Sequence, residues 1–238
     1  MQMNKYKLLF FMLIVFFSIH TVFCQEIDKK ISMLENYLSK LDEVSLEFEQ
    51  KSSKGEIKRG WMLIKKPNSI RIEYEKPHPT IIVSNQEYLI LYNAEDNIIT
   101  HLPITDGPWT IFTNNKIKLT SDKNNREAHG VVEDIKEINK NNKKYFFYKL
   151  LLRNNNRDLI KNGIIIHLSN DPTKIIGWTI TDNNNNKIFV KIIKITDEKA
   201  NPIDLEMFKL SEKDRKSGDV WKGPFNRSPA NRYSTGRL

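Results

Sequence analysis

The sequence predicts a mainly β fold with some α: a curved antiparallel sheet around an apolar interior, with one helix lying on it. Three observations carry this. Residues 57 to 102 hold a succession of short apolar strands rich in Ile, Leu, Tyr and Trp. Flanking segments alternate apolar and polar residues with a period of two. Trp61-Met62-Leu63-Ile64, Ile81-Ile82-Val83 and Tyr88-Leu89-Ile90-Leu91-Tyr92 are continuous apolar runs, so the sheet must be covered on both faces.

The chain opens with Lys5 and Lys7 ahead of an apolar stretch from Leu8 to Phe17, and Thr21-Val22-Phe23-Cys24 precedes the polar Gln25-Glu26. This is the three-part plan of a secretory signal, so residues 1–24 are expected to be removed on export. An uncleaved anchor is the alternative, but the apolar stretch is shorter than the roughly 18 residues a span needs. Cys24 as a lipidated N-terminus is a third reading, and the bulky Phe23 disfavours it. Cleavage after Cys24 leaves 214 residues without cysteine, which excludes disulfide and thiolate chemistry. One domain of that length can build a sufficient core alone. An exported product of this kind is expected in a bacterial periplasm.

From residue 25 on, Ile27, Ile31, Leu34, Leu38 and Leu41 recur at helical steps opposite Glu26, Lys29, Lys30, Glu35 and Lys40. From Val44 the period becomes two: Val44, Leu46 and Phe48 alternate with Ser45, Glu47 and Glu49, and Ile70, Ile72 and Tyr74 with Arg71 and Glu73. Turn residues at 52–55, 66–68, 77–79, 85–86 and 94–97 separate strands closely enough for a meander. At Thr105-Asp106-Gly107-Pro108-Trp109 the rhythm breaks, and a short helix or lid segment follows with Ile111 and Phe112. A polar connector rich in Asn and Lys leads to strands at 145–152, 163–168, 175–181 and 188–195, the last two joined by a turn at 183–186. Leu205, Met207, Phe208 and Leu210 close a domain spanning 25–211, and residues 212–238 form a basic, flexible tail.

The formal charge of +9 divides unevenly: +2 lies in the leader, +4 in residues 212–238, and only +3 in the body. A basic tail on an exported domain points to an anionic membrane surface or a partner, not to nucleic acid; a solvated tail is the alternative. Chemistry is scarce. His78, His101, His129 and His167 lack metal-ligand spacing, and there is no Gly-rich phosphate loop, nucleophile elbow or thiol. The carboxylate pairs Glu47 with Glu49 and Glu73 with Glu75 fall on the polar side of their strands and read as a solvated outer face. No enzyme, cofactor or metal is expected.

Glu43-Val44-Ser45-Leu46-Glu47-Phe48-Glu49-Gln50, Gly60 to Asn68, Tyr74, Pro77, Ile82-Val83-Ser84-Asn85 and Leu91-Tyr92-Asn93 follow one another in an order that resembles the periplasmic lipoprotein carriers of the LolA family. The likeness covers residues 26 to 115, and the later strands only by shape. It implies an unclosed antiparallel β-barrel of about eleven strands with a helical lid over an apolar cavity. It further implies a monomeric carrier that accepts a triacylated lipoprotein from an inner-membrane ATP-driven release complex and passes it to an outer-membrane lipoprotein receptor. Each acyl CH₂ left in water costs about 0.8 kcal/mol, so such chains need shielding in transit. On this basis Leu63, Ile70 and Ile72 are expected to face the cavity, and a carboxylate at Ile70 to exclude cargo without unfolding the protein. Trp109, Ile111 and Phe112 are assigned to the lid. Many family members carry an arginine before the proline that bonds the lid. Here that position is Lys66, either a latch without the planar fork of donors or an ordinary exposed turn lysine. An envelope lipid-sensing or binding module with a similar half-barrel is the competing function.

Overall fold

The computed structural model describes residues 25–77, 79–84, 88–104, 107–154, 156–160, 163–170, 173–181, 185–212 and 214. The signal peptide expected at 1–24 and the tail from 215 onward lie outside them.

Residues 25–40 form helix α1. Its apolar stripe is buried as the helical spacing requires, with Leu34 and Leu38 wholly so. The strands are β1 (Glu43–Ser52), β2 (Ile57–Lys65), β3 (Ser69–Tyr74), β4 (Thr80–Ser84), β5 (Tyr88–Asn93) and β6 (Ile98–Pro103) in the N-terminal half. A short helix α2 (Thr110–Thr113) precedes β7 (Leu119–Thr120), β8 (Gly130–Lys140), β9 (Lys143–Leu152), β10 (Ile164–Asn170), β11 (Thr173–Thr181) and β12 (Lys187–Asp197).

These twelve strands make one sheet in the order β6-β5-β4-β3-β2-β1-β12-β11-β10-β9-β8-β7. Two meanders, each in sequence order, join where β1 pairs antiparallel with β12. The sheet is unclosed, with β6 and β7 as its edges, and α2 stands in the connection between them. Every pairing is antiparallel except β7 with β8. The polar connector read from sequence thus contains β8, an eleven-residue strand. A bulge between Val132 and Asp134 moves its inward residues out of period: Val132 opposes Leu150, and Ile135, three positions on, opposes Tyr148.

The two faces carry separate cores. On the concave face α1, α2 and the inward residues of nearly every strand form one continuous cluster that includes Met62, Ile64, Ile70, Phe112, Tyr148 and Trp178. Curvature there depends on Gly60, where a Cβ would stand 2.2 Å from the Glu73 carbonyl oxygen. With no side chain at 60, Phe48 and Tyr74 meet across it edge to face, ring centroids 5.5 Å apart.

On the outer face, Trp61 and Leu63 pack under Ile203, Met207 and Phe208, the last two in a 3-10 turn (Leu205–Phe208). Leu205, expected to help close the domain, is exposed. The outer face is not solvated here, contrary to the expectation for Glu73. Glu73 is buried and accepts a 2.6 Å hydrogen bond from Arg71 Nε. Arg71 also donates to the carbonyls of Met207 (3.1 Å) and Lys209 (3.0 Å) and to Asp214 (2.9 Å), with Trp61 5.9 Å beneath its guanidinium. The anchored chain therefore reaches Asp214, past the boundary at 211 expected from composition.

Candidate functional site: the covered concave face

Alternation in β2 and β3 decides which residues can meet. Met62 and Ile64 sit opposite Ile72 and Ile70, and all four belong to the concave cluster. Leu63 lies opposite Arg71 and points the other way, into the outer core. The expectation that Leu63 shares a face with Ile70 and Ile72 is corrected accordingly. In a strand buried on both sides the apolar run has no readable phase.

The remaining site residues come together. Ile111 and Phe112 lie in α2 and Trp109 is its N-cap; all three belong to the same concave cluster as Ile70 and Ile72. Phe112 meets Trp178 of β11 at 5.0 Å between ring centroids, and the Trp109 indole N–H donates to the carbonyl of Ile104. The amide of Asn68 donates to the carbonyl of Thr113 at 3.0 Å, tying α2 to the β2–β3 turn.

The concave face is apolar, and among the described residues it is filled by the protein's own side chains. Ile31, Leu34, Leu38 and Ile111 are buried on it, and Ile70 is only 1% exposed. A carboxylate at Ile70 would be desolvated without a partner, so the expectation that Ile70→Glu keeps the fold intact does not hold. Ile72 and Ile82 are cross-strand neighbours, half-buried at the margin of the same cluster.

Polar contacts strap α1 to the sheet along its length. Lys30 pairs with Glu26 (2.9 Å) and with Glu137 of β8 (3.3 Å), and Tyr148 Oη donates to the Lys30 carbonyl at 3.0 Å. The carboxylate of Glu35 accepts from the amide of Leu119 at 2.6 Å. Sequence reading missed these straps, because each joins residues far apart in the chain.

At the C-terminal end of α1 stands Lys66. It is not an exposed turn lysine: it is 8% exposed, and its ammonium donates to the carbonyl of Leu38 at 2.6 Å. That last-turn carbonyl also accepts from the amide of Leu41 at 3.2 Å, and a cation is favoured at this end of a helix. Burial lowers the Lys66 pKa to about 8 against a smaller opposing pull from Asp42.

Among the described residues no group of His, Cys, Asp and Glu is placed to hold a metal ion, and no helix is long and apolar enough to cross a membrane. The site's chemistry is therefore apolar contact under a cover fixed by a few hydrogen bonds.

An uncharacterized protein of Rickettsia prowazekii (strain Madrid E) is 24% identical to this chain over 92 residues, 39% of this chain and 43% of that protein. The chain thus matches less than half the length of that curated relative. Among solved structures, a LolA superfamily protein from Nitrosomonas europaea aligns over 76% of this chain and 97% of its own at 7% identity and a TM-score of 0.45. An uncharacterized conserved protein from Thermus thermophilus aligns over 80% and 96% at 12% identity and a TM-score of 0.46. The model of the family described as outer membrane lipoprotein carrier protein LolA matches residues 39–211, and the chain belongs to that family.

Proposed function

We propose that this chain is a periplasmic chaperone that shields the acyl chains of lipoproteins and carries them from an inner-membrane release complex to an outer-membrane receptor. The observation that carries the reading is one continuous apolar concave surface beneath a helix that is strapped on by separable polar contacts. In the covered state described above the concave face is buried beneath α1 and α2, so loading requires α1 and α2 to lift and cargo to replace their side chains. The exchange is near balance, because apolar surface is covered in both states. A near balance suits a carrier that must release its load without a nucleotide.

Membership of the family and the straps at Lys30, Glu35 and Lys66 support this reading. The filled interior favours a second one, an envelope lipid-sensing or binding module that never transfers cargo. Reconstitution separates them. In the carrier reading, the protein releases a triacylated lipoprotein from membranes bearing the ATP-driven release complex as a soluble complex and delivers it to receptor-bearing vesicles, and Ile72→Glu loses both steps. Binding of acylated ligand without delivery favours the sensor.

A further inference from the structure

The outer face of the other half of the sheet holds a groove of about 660 Å³ that the concave site does not use. Register explains its shape. A row of outward positions runs across six strands: Phe147, His167, Gly177, Lys191, Glu49 and Arg59. The glycine leaves the row without a side chain at its centre. A Cβ there would stand 2.2 Å from the Val190 carbonyl oxygen, so no other residue fits without a shift of the backbone. Ile176 and Phe189 line the gap, and Phe189, the third residue of β12, is 44% exposed although large aromatic rings are usually well buried.

Four lysines surround this apolar floor: Lys51, Lys143, Lys174 and Lys191. None of them is paired with a carboxylate among the described residues, although neighbouring lysines are: Lys144 with Glu137 and Lys149 with Glu133. The groove's one carboxylate, Glu49, is directly opposite Lys191 but takes both its hydrogen bonds from Arg59, at 3.1 and 3.0 Å. His167 stacks on Phe147 at 4.9 Å, and burial holds its pKa below the usual value, so at neutral pH it adds no charge. The groove thus gathers four ammonium groups without a carboxylate partner among the described residues around an exposed aromatic ring.

We propose that this groove receives the phosphate-bearing headgroup of an anionic phospholipid at a membrane surface, with Phe189 entering the interface. Ammonium groups lining one groove supply the charge complement of a phosphate, and the long alkyl stems of lysine can cover apolar surface while their heads stay in water. Basic residues mixed with an exposed aromatic are the composition of a surface that lies in a membrane interface. An acidic polypeptide would satisfy the lysines but would leave the ring without a partner. The groove lies on the face of the sheet opposite α1, so the proposal stands or falls independently of the carrier reading.

The test is cosedimentation of the full chain with phosphatidylcholine vesicles, with and without phosphatidylglycerol. Binding is expected only to the anionic vesicles and to weaken with salt. Lys174→Gln with Lys191→Gln should weaken it about tenfold or more, since each basic residue at such a surface is worth about fivefold. Lys116→Gln, an exposed lysine outside the groove, should leave it unchanged, and Phe189→Ala should weaken it severalfold. Inorganic phosphate at matched phosphorus concentration should not displace the protein. The proposal is overturned if the double variant binds as the parent does, or if inorganic phosphate displaces the protein fully, which makes the groove a soluble-anion site. It is also overturned if polyaspartate competes while Phe189→Ala has no effect, which makes it an acidic-protein surface.

Discussion

The ammonium of Lys66, in the turn between β2 and β3, donates a 2.6 Å hydrogen bond to the carbonyl of Leu38 in the last turn of α1. The backbone amide of Lys66 also donates to the carbonyl of Asp42, just beyond the helix, at 2.9 Å. The end of the cover and the end of β2 are thereby fixed to each other by both ends of one residue. We propose that this contact sets how readily α1 leaves the sheet.

Lys66→Ala tests that directly. It removes the donor, while the Leu38 carbonyl keeps its 3.2 Å bond from the Leu41 amide, so the loss is that of one hydrogen bond, about 1 kcal/mol. Hydrogen exchange of amides near residues 36–41 should quicken while exchange in β9 and β10 stays as in the parent. Unchanged exchange in α1 would mean that the apolar stripe alone holds the helix.

The same lysine should leave a signature in the pH dependence of stability. Its pKa is about 8 in the folded protein, against 10.5 when unperturbed. Between those values the unfolded state binds the extra proton, so stability rises with pH by up to about 1.4 kcal/mol per pH unit. The contribution is complete above 10.5 and absent below 8. Urea unfolding of the parent and Lys66→Met across this range should diverge with that slope; parallel curves would show that Lys66 titrates as an exposed lysine.

The outer core makes a separate prediction through Arg71 and Glu73. Arg71→Ala removes the guanidinium that bonds Glu73, Asp214 and the carbonyls of Met207 and Lys209, so it should cost about 3–5 kcal/mol. Replacing the pair together, Arg71→Met with Glu73→Leu, should recover part of that loss, because the buried carboxylate goes with its partner, while the bonds to Met207, Lys209 and Asp214 stay lost. Limited proteolysis should cut near residues 205–212 in the single variant first. Equal stability of single variant and parent in thermal unfolding would show that Asp214 and the 3-10 turn do not depend on this guanidinium.

Much of this architecture was legible in the residues, and the exceptions have specific causes. Helix α1 and much of strand β1 are buried on one side, so polarity alternates with the right period; β3 alternates too, although its polar residues Arg71 and Glu73 are buried. Leu63 was assigned to the wrong face because Trp61 to Ile64 is buried on both. The bulge at Glu133 hid β8 by shifting Ile135 out of phase with Val132. Glu73 looked solvent-facing until the returning segment at Met207 and Lys209 covered it, a contact across more than a hundred residues. Lys66 entered through family resemblance alone; its burial and its Leu38 partner depend on where α1 lies, which local sequence does not encode.

In the proposed carrier cycle, acyl chains take the place of α1 on the concave face. Photocrosslinking tests it most directly, with a benzophenone amino acid at Ile72 or Ile82 on that face and at Ile57, exposed on β2, as the outer control. With a triacylated lipoprotein as cargo, the account predicts adducts from Ile72 and Ile82, increased by Lys66→Ala, and none from Ile57. Adducts from Ile57 with none from the concave positions would contradict it.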